Sequence, residues 1–464
     1  MGKLADSSAW DPQKGFVKQN HRKTSKIVVA VAICLVSVAL LGLTGCAGRT
    51  QKGNEQNSKL DLGSLLTEPS VQEELFTHHT LPYVSFSRSH SLYIDEHGNL
   101  WGRGALGNIN EDENVPYGYY EEWVKIMENA VQAKANNLMS VVLKQDGSLW
   151  MFGYHAPYEK PTEIGERIKE IIDSNDRSCI VLSDDGDALV YNVVNVVDTK
   201  TLEYLGKAIE KKVLFSDVHT IATGRMVRFY LQNNGALWGE GQIYGSIFET
   251  EPVKIMEHVS WVHSNGWFTF VVTEDHQLYG WGNNVFGQLG VPAGDAVLFP
   301  IKIMDGVNKA YASSHTSYVI MEDNSLWTFG RYVSPHLRND EDTTKMHQPV
   351  KMLDHVLEAY VFQTDSTFLA AYALQKDGTL YGWGKNGSYT GNGSSDLSIN
   401  VISHGVQDVL KDNISGGRPS FLRNDQTIWT WGVCPSYIRV DITGFRYELK
   451  PMEYIYDPVL FIFP

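Results

Sequence analysis

One short pattern recurs eight times along this chain and constrains its fold more than any other feature. Its fifth copy, residues 268–282, reads FTFVVTEDHQLYGWG, in which two β-rich runs flank a polar corner and predict a β-hairpin. The copies carry the apolar pairs Leu100-Trp101, Leu149-Trp150, Leu189-Val190, Leu237-Trp238, Leu278-Tyr279, Leu326-Trp327, Leu380-Tyr381 and Ile428-Trp429. Successive copies are 49, 40, 48, 41, 48, 54 and 48 residues apart, which predicts a repeat architecture.

The corner of each hairpin is a short polar dipeptide. Four corners are Asp-Gly or Asn-Gly, which favour two-residue turns because both central residues of such turns have positive φ. Asn324 tolerates positive φ well, whereas His276 and Gln426 adopt it at some cost. We therefore expect longer or altered turns at His276 and Gln426.

A second apolar element precedes the hairpins and begins with proline in three copies. It reads PVKIM at 252–256, PIKIM at 300–304 and PVKML at 349–353. Proline lacks an N–H donor, so such a strand fits the edge of a sheet. Each period then holds four short strands and no amphipathic helix, which indicates an all-β fold of the β-propeller class rather than a β-sandwich. Residues 457–462 repeat the start of this element, and we expect them to supply an outer strand to the first blade and so close the ring.

The segment 281–290, WGNNVFGQLG, resembles the signature of the regulator of chromosome condensation repeat family, and 383–387, WGKNG, is a shorter match. The resemblance extends from about residue 75 to the C-terminus and implies a propeller. Members of this family usually have seven blades, whereas eight hairpins favour eight. The namesake acts as a nuclear exchange factor on a small GTPase. A secreted relative inhibits β-lactamase by tight binding alone.

The N-terminal region has the features of an export signal. A positively charged flank precedes residues 27–43, which are 17 residues without a charge. Leu43-Thr44-Gly45-Cys46 follows directly and resembles a bacterial lipobox, so Cys46 is the expected lipid attachment site. The alternative is an uncleaved membrane anchor. Either reading puts the rest of the chain outside the cytoplasm, and we divide it into a signal segment (1–46), a flexible tether (47–69) and a propeller (70–464).

The exported part is strongly acidic. Residues 1–45 hold six Lys or Arg and two Asp or Glu, which leaves 33 basic and 52 acidic residues and a net charge of −19 for residues 46–464. A negative surface disfavours nucleic acid and anionic lipid headgroups. We therefore expect no nucleic-acid partner, and membrane attachment through the N-terminal lipid or anchor only.

No motif for catalysis, a metal or a cofactor stands out. The sequence contains no HExxH, CxxC, GxSxG or Walker-type loop. His90, His219 and His315 fall at or near one repeat position, where bonding within the fold is more common than ligand binding. The sequence leaves one alternative open, a glycosidase whose two catalytic carboxylates are distant in sequence and are brought together by the fold. We expect a protein that is not an enzyme and that carries no cofactor.

The most suggestive feature is a set of aromatic residues after several hairpins. If these segments lie side by side on one rim, they offer contact area at low entropic cost. The candidate binding residues are Tyr117, Tyr119, Tyr120, Trp123, Tyr154, Tyr158, Tyr244 and Phe248. The sequence thus predicts a membrane-tethered, extracytoplasmic propeller that binds a protein or glycan. The alternatives are an enzyme acting on cell-wall or other polysaccharide and, less favoured, a guanine-nucleotide exchange factor.

Overall fold

The computed structural model describes residues 81–461 apart from residues 108, 110–117, 158–159, 200–202, 245–246, 314, 332–345, 364–367, 385–388, 392, 394–397, 411–417, 435–438, 442–445 and 449–452. Within these residues, no helix is long and apolar enough to cross a membrane. The apolar run 27–43 and Cys46 lie outside the described residues, and so does the tether.

The first four blades each contain four consecutive strands. Blade one comprises β1 (Tyr83–Phe86), β2 (His90–Ile94), β3 (Leu100–Ala105) and β4 (Tyr119–Met127). Blade two comprises β5 (Ala130–Ala135), β6 (Ser140–Lys144), β7 (Leu149–Phe152) and β8 (Thr162–Gly165). Blade three comprises β9 (Ile168–Ser174), β10 (Ser178–Ser183), β11 (Ala188–Val197) and β12 (Tyr204–Phe215). Blade four comprises β13 (Val218–Gly224), β14 (Val227–Gln232), β15 (Leu237–Tyr244) and β16 (Ile247–Met256).

The last four blades follow the same order, with one insertion. Blade five comprises β17 (Val259–Ser264), β18 (Phe268–Thr273), β19 (Leu278–Gly282) and β20 (Val297–Met304). Blade six comprises β21 (Val307–Ala312), β22 (Thr316–Met321), β23 (Leu326–Gly330) and β24 (Val350–Leu353). Blade seven comprises β25 (Val356–Gln363), β26 (Phe368–Gln375), β27 (Leu380–Gly384) and β28 (Asn400–Ser403). Blade eight comprises β29 (Val406–Val409), β30 (Ser420–Arg423), β31 (Ile428–Cys434) and β34 (Glu453–Leu460), and the hairpin of β32 (Arg439–Asp441) and β33 (Arg446–Glu448) is inserted before β34.

The eight antiparallel sheets form a ring, and the predicted eight-bladed, all-β propeller is confirmed. The first strands of neighbouring blades contact each other and lie innermost, while the proline-led strands occupy the outer edge as predicted. Because successive strands run in opposite directions, the connections between them lie alternately on the two faces of the ring. We call the face with the connections from first to second and from third to fourth strand the loop face. The opposite face, with the hairpin corners and the connections between blades, is the corner face.

The corners all use one turn, and only one residue in each has positive φ. In blade two the Gly147 N–H donates to the Lys144 carbonyl at 3.0 Å, and Lys144 N–H donates to Ser148 at 3.0 Å, so the turn has three loop residues and a glycine bulge. His276 and Gln426 take φ of 61° and 64° with the same hydrogen bonds. The expectation of altered turns there is wrong, as is that of two positive-φ residues in each corner.

The corner geometry persists without glycine because backbone hydrogen bonds hold the corners to their surroundings. In blades one to seven the corner accepts a bond from the first strand of the next blade, and in blades two to eight it donates one to the connection that precedes its own blade. The carbonyl of His276 accepts a 2.9 Å hydrogen bond from the N–H of Val307, the first residue of the next blade. The Glu274 N–H donates at 2.8 Å to the carbonyl of His258, in the preceding interblade connection. Gly147 and Ile168 repeat the first bond at 2.9 Å. Two such bonds are present at each of the seven junctions from blade one to blade eight, and they offset the small cost of a side chain at positive φ. The Gln426 corner keeps one of them, from the Asn424 N–H to the Gly405 carbonyl at 2.9 Å.

The Gly280-Trp281 pair of the repeat serves packing within blade five and against the preceding blade. A Cβ atom at Gly280 would lie 3.0 Å from the ring of Phe270 and 2.7 Å from the side chain of Ile303, so glycine allows these two side chains of the same blade to approach closely. Trp281 is buried, and its indole N–H donates to the carbonyl of Ile243 in the preceding blade at 2.8 Å. The pattern that identifies the repeat is therefore largely structural.

The ring closes differently from the prediction. The C-terminal strand β34 pairs with β31 and completes blade eight, whereas β4 already occupies the outer position of blade one. The prediction that the C-terminal segment supplies a strand to blade one is wrong, because that sheet has no vacant edge at β3. Closure uses side chains instead. Phe461, just after β34, contacts the rings of Phe86, Tyr93 and Trp123 of blade one.

Candidate binding face

Exposed apolar side chains are concentrated on the loop face of blades three to five. Of the thirteen large hydrophobic residues that are exposed in the described part of the chain, ten lie there. They are Val196, Val197, Tyr204, Leu205, Met226, Phe248, Trp267, Val285, Leu298 and Phe299. Four of them lie where the long hairpin of β11 and β12 reaches the loop face. A concentration of exposed apolar side chains on one face is a feature of interaction sites.

A cleft of about 420 Å³ opens on this face between blades four and five. Its floor is formed by buried apolar side chains, among them Val227, Phe268 and Trp281. Polar groups from Gln242 and Asn283 line it as well. The volume falls within the range of small-ligand sites, and such sites combine an apolar floor with a few polar groups.

Two facing turns form the sides of the cleft. The turn between β13 and β14 carries Arg225 and Met226, and the turn between β17 and β18 carries Gly266 and Trp267. A Cβ atom at Gly266 would lie 2.4 Å from the Arg225 backbone nitrogen and 2.6 Å from its carbonyl oxygen. Glycine therefore permits the two turns to touch, and this contact brings the Arg225 guanidinium over the Trp267 ring at 5.5 Å from its centroid.

Met226 has an unusual backbone conformation for its position. Its φ is 61°, while the other described non-glycine residues with positive φ lie at corners and blade connections on the opposite face. This conformation costs of order 1 kcal/mol in a non-glycine residue. It presents an exposed thioether at the mouth of the cleft.

The signature loop after β19 forms the wall beside Asn283 and is held by its own side chains. The Asn284 side-chain oxygen accepts from the Leu289 N–H at 3.0 Å, and the Asn284 amide donates to Pro292 at 2.9 Å. Gln288, which is fully buried, donates to the Asn283 side-chain oxygen at 3.0 Å. These bonds fix the loop and orient Asn283 toward the cleft, where its amide nitrogen has no bond to another described residue.

The structure separates the aromatic residues that the sequence grouped together. Phe248 is exposed on the loop face, close in sequence to the cleft residue Gln242. Tyr119 and Tyr154 are half-buried, and burial raises the pKa of Tyr154 to about 12. Tyr120 is buried, and Trp123 packs between Tyr93 and Phe461.

Three members of the predicted set lie wholly or partly outside the described residues. Tyr117 and Tyr158 lie outside the described residues, and Tyr244 is described only as the last residue of β15. Trp267, Leu298 and Phe299 were missed by sequence reasoning. The sequence gives one hint for the last two, since both precede Pro300 in an edge strand.

The histidines that the sequence placed at one repeat position occupy three different positions. His90 begins β2, His219 lies within β13, and His315 precedes β22. His90 is fully buried. Its Nε2 bonds to the Ser140 hydroxyl of blade two at 2.6 Å, and its Nδ1 lies 3.0 Å from the Ser89 hydroxyl. Desolvation lowers the pKa of His90 to about 4, although Asp176 acts in the opposite direction. This histidine joins blades one and two and is inaccessible to a ligand.

The described residues contain no group of three or more His, Cys, Asp or Glu side chains arranged to hold a metal ion. Cys179 is a free, buried thiol in blade three, and burial raises its pKa to about 12. A thiol of this kind is unreactive at neutral pH. The described loop face presents apolar, aromatic, amide and guanidinium groups around the cleft.

Residues 275–318 match the family model described as the regulator of chromosome condensation (RCC1) repeat. They extend from the corner of blade five to β22 of blade six, so the matched unit is offset from the blade by half a repeat. The chain is an RCC1-like β-propeller. The predicted resemblance to this repeat family is confirmed in the segment that carries the signature.

Several solved structures resemble this RCC1-like propeller at low sequence identity. Prp20p from Saccharomyces cerevisiae, described with its binding to Gsp1p and histones, is 17% identical, covers 65% of this chain and 83% of its own, and has a TM-score of 0.45. Human WBSCR16 is 16% identical over 70% of this chain and 83% of its own, with a TM-score of 0.41. BamB from Moraxella catarrhalis is 9% identical over 76% of this chain and 94% of its own, with a TM-score of 0.40. These likenesses concern the propeller fold alone. No curated protein matches the sequence.

Proposed function

We propose that this chain is a membrane-tethered, extracytoplasmic binding propeller that engages a macromolecular partner through the loop face of blades three to five, without catalysis. The observation that carries the proposal is the concentration of exposed apolar side chains on the loop face, among them Trp267, which lines the cleft, and Phe248 and Phe299. The aliphatic part of this surface, which includes Val196, Leu205 and Leu298, favours a protein over a glycan, because a glycan presents many hydroxyls that require polar partners.

The membrane tether is part of the proposal and rests on the sequence. The positive flank, the apolar run 27–43 and the lipobox-like Leu43-Thr44-Gly45-Cys46 support export and lipidation at Cys46. Strand β1 begins at the corner face, since it runs toward the turn that precedes β2 on the loop face. This first strand therefore starts on the side of the propeller opposite the apolar residues.

Site-specific photocrosslinking in intact cells tests the assignment of the face. A photoreactive phenylalanine analogue replaces Phe248 or Val285 on the loop face and, as matched controls, the exposed Glu96 or Asp425 on the corner face. We expect a discrete crosslinked protein from the two loop-face positions only, identified by mass spectrometry. Crosslinks from the corner face alone would overturn the assignment.

The two alternative functions have separate tests. If the purified protein depolymerises cell-wall glycan, it is an enzyme, and the non-catalytic reading fails. Guanine-nucleotide exchange is the activity of the family's namesake, and it requires access to a cytosolic or nuclear GTPase. The export signal opposes that access, so recovery of the mature chain in the cytoplasm would reopen this alternative.

A further inference from the structure

The cleft between blades four and five contains a cation that the described part of the fold does not neutralise. The Arg225 guanidinium lies over the Trp267 ring, 5.5 Å from its centroid, and makes no ion pair with another described residue. Arg228, three residues later, is bound to Glu240 at 2.7 Å, so the neighbouring carboxylate is already engaged. The whole chain has a net charge of −15, and this guanidinium therefore supplies local positive charge at the mouth of the cleft.

The N–H donors of the Arg225 guanidinium make no hydrogen bond to another described residue. A guanidinium that lies over an aromatic ring keeps its N–H donors in its own plane, and these donors match the two oxygens of a carboxylate. The contact between Gly266 and the Arg225 backbone holds the arginine turn in place. A ligand therefore meets a positioned donor group, which reduces the entropic cost of binding.

The polar and apolar parts of the cleft are adjacent. Val227, Phe268 and Trp281 provide an apolar floor below the mouth that carries Arg225. Asn283 and Gln242 add amide groups at the side. A complementary ligand has a carboxylate and an apolar group separated by only a few bonds.

We propose that this cleft binds the C-terminal residue of a partner polypeptide, with its α-carboxylate on Arg225 and an apolar last side chain on the floor. A C-terminal residue carries both groups on one carbon, whereas an Asp or Glu side chain carries its carboxylate without an apolar branch. Capture of a terminal carboxylate is a recurrent mode of peptide recognition. This proposal specifies the partner chemistry of the loop-face function and rests on it.

Direct binding of short peptides to the purified full chain tests the proposal. The probe is N-acetyl-Gly-Gly-Phe as the free acid, compared by calorimetry with its C-terminal amide and with N-acetyl-Gly-Gly-Gly as the free acid. We expect the amide and the triglycine each to bind at least tenfold more weakly than the probe. Equal affinity of acid and amide, or no binding of the acid at millimolar concentration, would overturn the proposal.

Variants of Arg225 connect the effect to the cleft. R225Q should remove the difference between acid and amide, while R225K, which keeps the charge but not the planar fork, should retain part of it. The matched control is R423Q, because Arg423 also lies over a tryptophan, Trp429, at 5.8 Å but on the corner face. It should leave peptide binding unchanged. Thermal unfolding of each variant distinguishes a lost site from a lost fold.

Two further outcomes separate this proposal from the loop-face function. If loop-face crosslinking to a protein persists while the peptide acid fails to bind, the partner uses another chemistry and the function stands. If glucuronate binds more tightly than the peptide acid, the cleft recognises a sugar acid, and the C-terminal assignment is wrong. Loss of loop-face crosslinking in R225Q, with the fold intact, would support both.

Discussion

The ring of Phe461 lies edge-to-face on the indole of Trp123, with 5.9 Å between the ring centroids. This contact joins the residue after the last strand of blade eight to the outer strand of blade one. Phe86 and Tyr93 complete the aromatic cluster at 5.8 Å each. The two ends of the propeller are thus held together by side-chain packing, without a strand contributed by the other end of the chain.

Replacement of Phe461 should weaken ring closure specifically. We expect F461A to lower the free energy of unfolding by about 2 kcal/mol, because a partly buried aromatic residue loses its packing against three rings. Limited proteolysis should show increased cleavage in blade one, which is distant in sequence. Phe299, which is exposed on an outer strand, provides the control F299A, with little expected change in stability. An unchanged cleavage pattern in F461A would show that other contacts of the interface suffice.

The fold class and the blade number could be predicted from the sequence because each of the eight repeats carries the same local structural signals. Hairpin corners, edge prolines and Trp-Gly packing all depend on neighbouring residues. Ring closure, by contrast, depends on which sheet lacks its outer strand. The segment 457–462 looks like an outer strand, but its sequence does not distinguish an outer strand of blade one from one of blade eight. The cleft escaped prediction because Arg225 and Trp267 lie 42 positions apart, and only the contact of their two turns brings them together. Tyr120 and Phe248 look alike in sequence, yet the structure buries one and exposes the other.

Replacement of a non-glycine residue at a hairpin corner by glycine should stabilise the protein. Gln426 adopts φ of 64°, and Q426G removes the steric cost of that conformation while the unfolded chain gains some entropy. We expect a net gain of roughly 0.5 kcal/mol in the free energy of unfolding. The reverse change G147A, at φ of 80°, should be destabilising by about 1 kcal/mol and serves as the matched comparison. Denaturant unfolding measures both. A loss of stability in Q426G would mean that the Gln426 side chain contributes more than its backbone costs.

Tyr119 and Tyr120 should respond differently to substitution although they are adjacent. Tyr120 is buried in the hydrophobic cluster that contains the core residues of blade one, so Y120A should lower the free energy of unfolding by about 3 kcal/mol. Tyr119 is half-buried, and Y119A should change stability by less than about 1 kcal/mol. Partner crosslinking from position 248 should survive Y119A if blades three to five provide the binding face. Loss of crosslinking in a stable Y119A variant would extend the binding surface to blade one.

Cys46 should carry the lipid that tethers the protein. C46S is expected to abolish incorporation of a labelled fatty acid and to leave a precursor that retains residues 1–45, because the thioether forms on the cysteine sulfur before cleavage. Intact mass spectrometry of the membrane fraction distinguishes the two forms. The control is C34S, which alters the apolar run but not the lipobox-like segment. Identical masses and no label in wild-type and C46S would identify the segment as an uncleaved anchor.

Acid should destabilise the propeller through two histidines, the buried His90 and the half-buried His263. Desolvation lowers the pKa of His90 and of His263 to about 4 from an unperturbed value of 6.5. The unfolded chain therefore binds more protons than the folded one between about pH 6.5 and 4, so stability is complete above this window and falls as the pH falls through it. For each histidine the expected loss at pH 5 is about 2 kcal/mol relative to pH 7. The Nδ1 of His263 accepts a 3.0 Å hydrogen bond from the Ala312 N–H, and protonation of that nitrogen would also break this bond.

Denaturant unfolding at pH 7 and pH 5 measures the effect. H90Q and H263Q should each reduce the difference in unfolding free energy between the two pH values by about 2 kcal/mol. The two residues lie in blades one and five, so the reductions should add in the double variant. H97Q, which removes an exposed histidine from the corner of blade one, is the control and should leave the difference close to that of the wild type. If H90Q and H263Q retain the full acid sensitivity of the wild type, other groups cause it and these two imidazoles do not control stability at low pH.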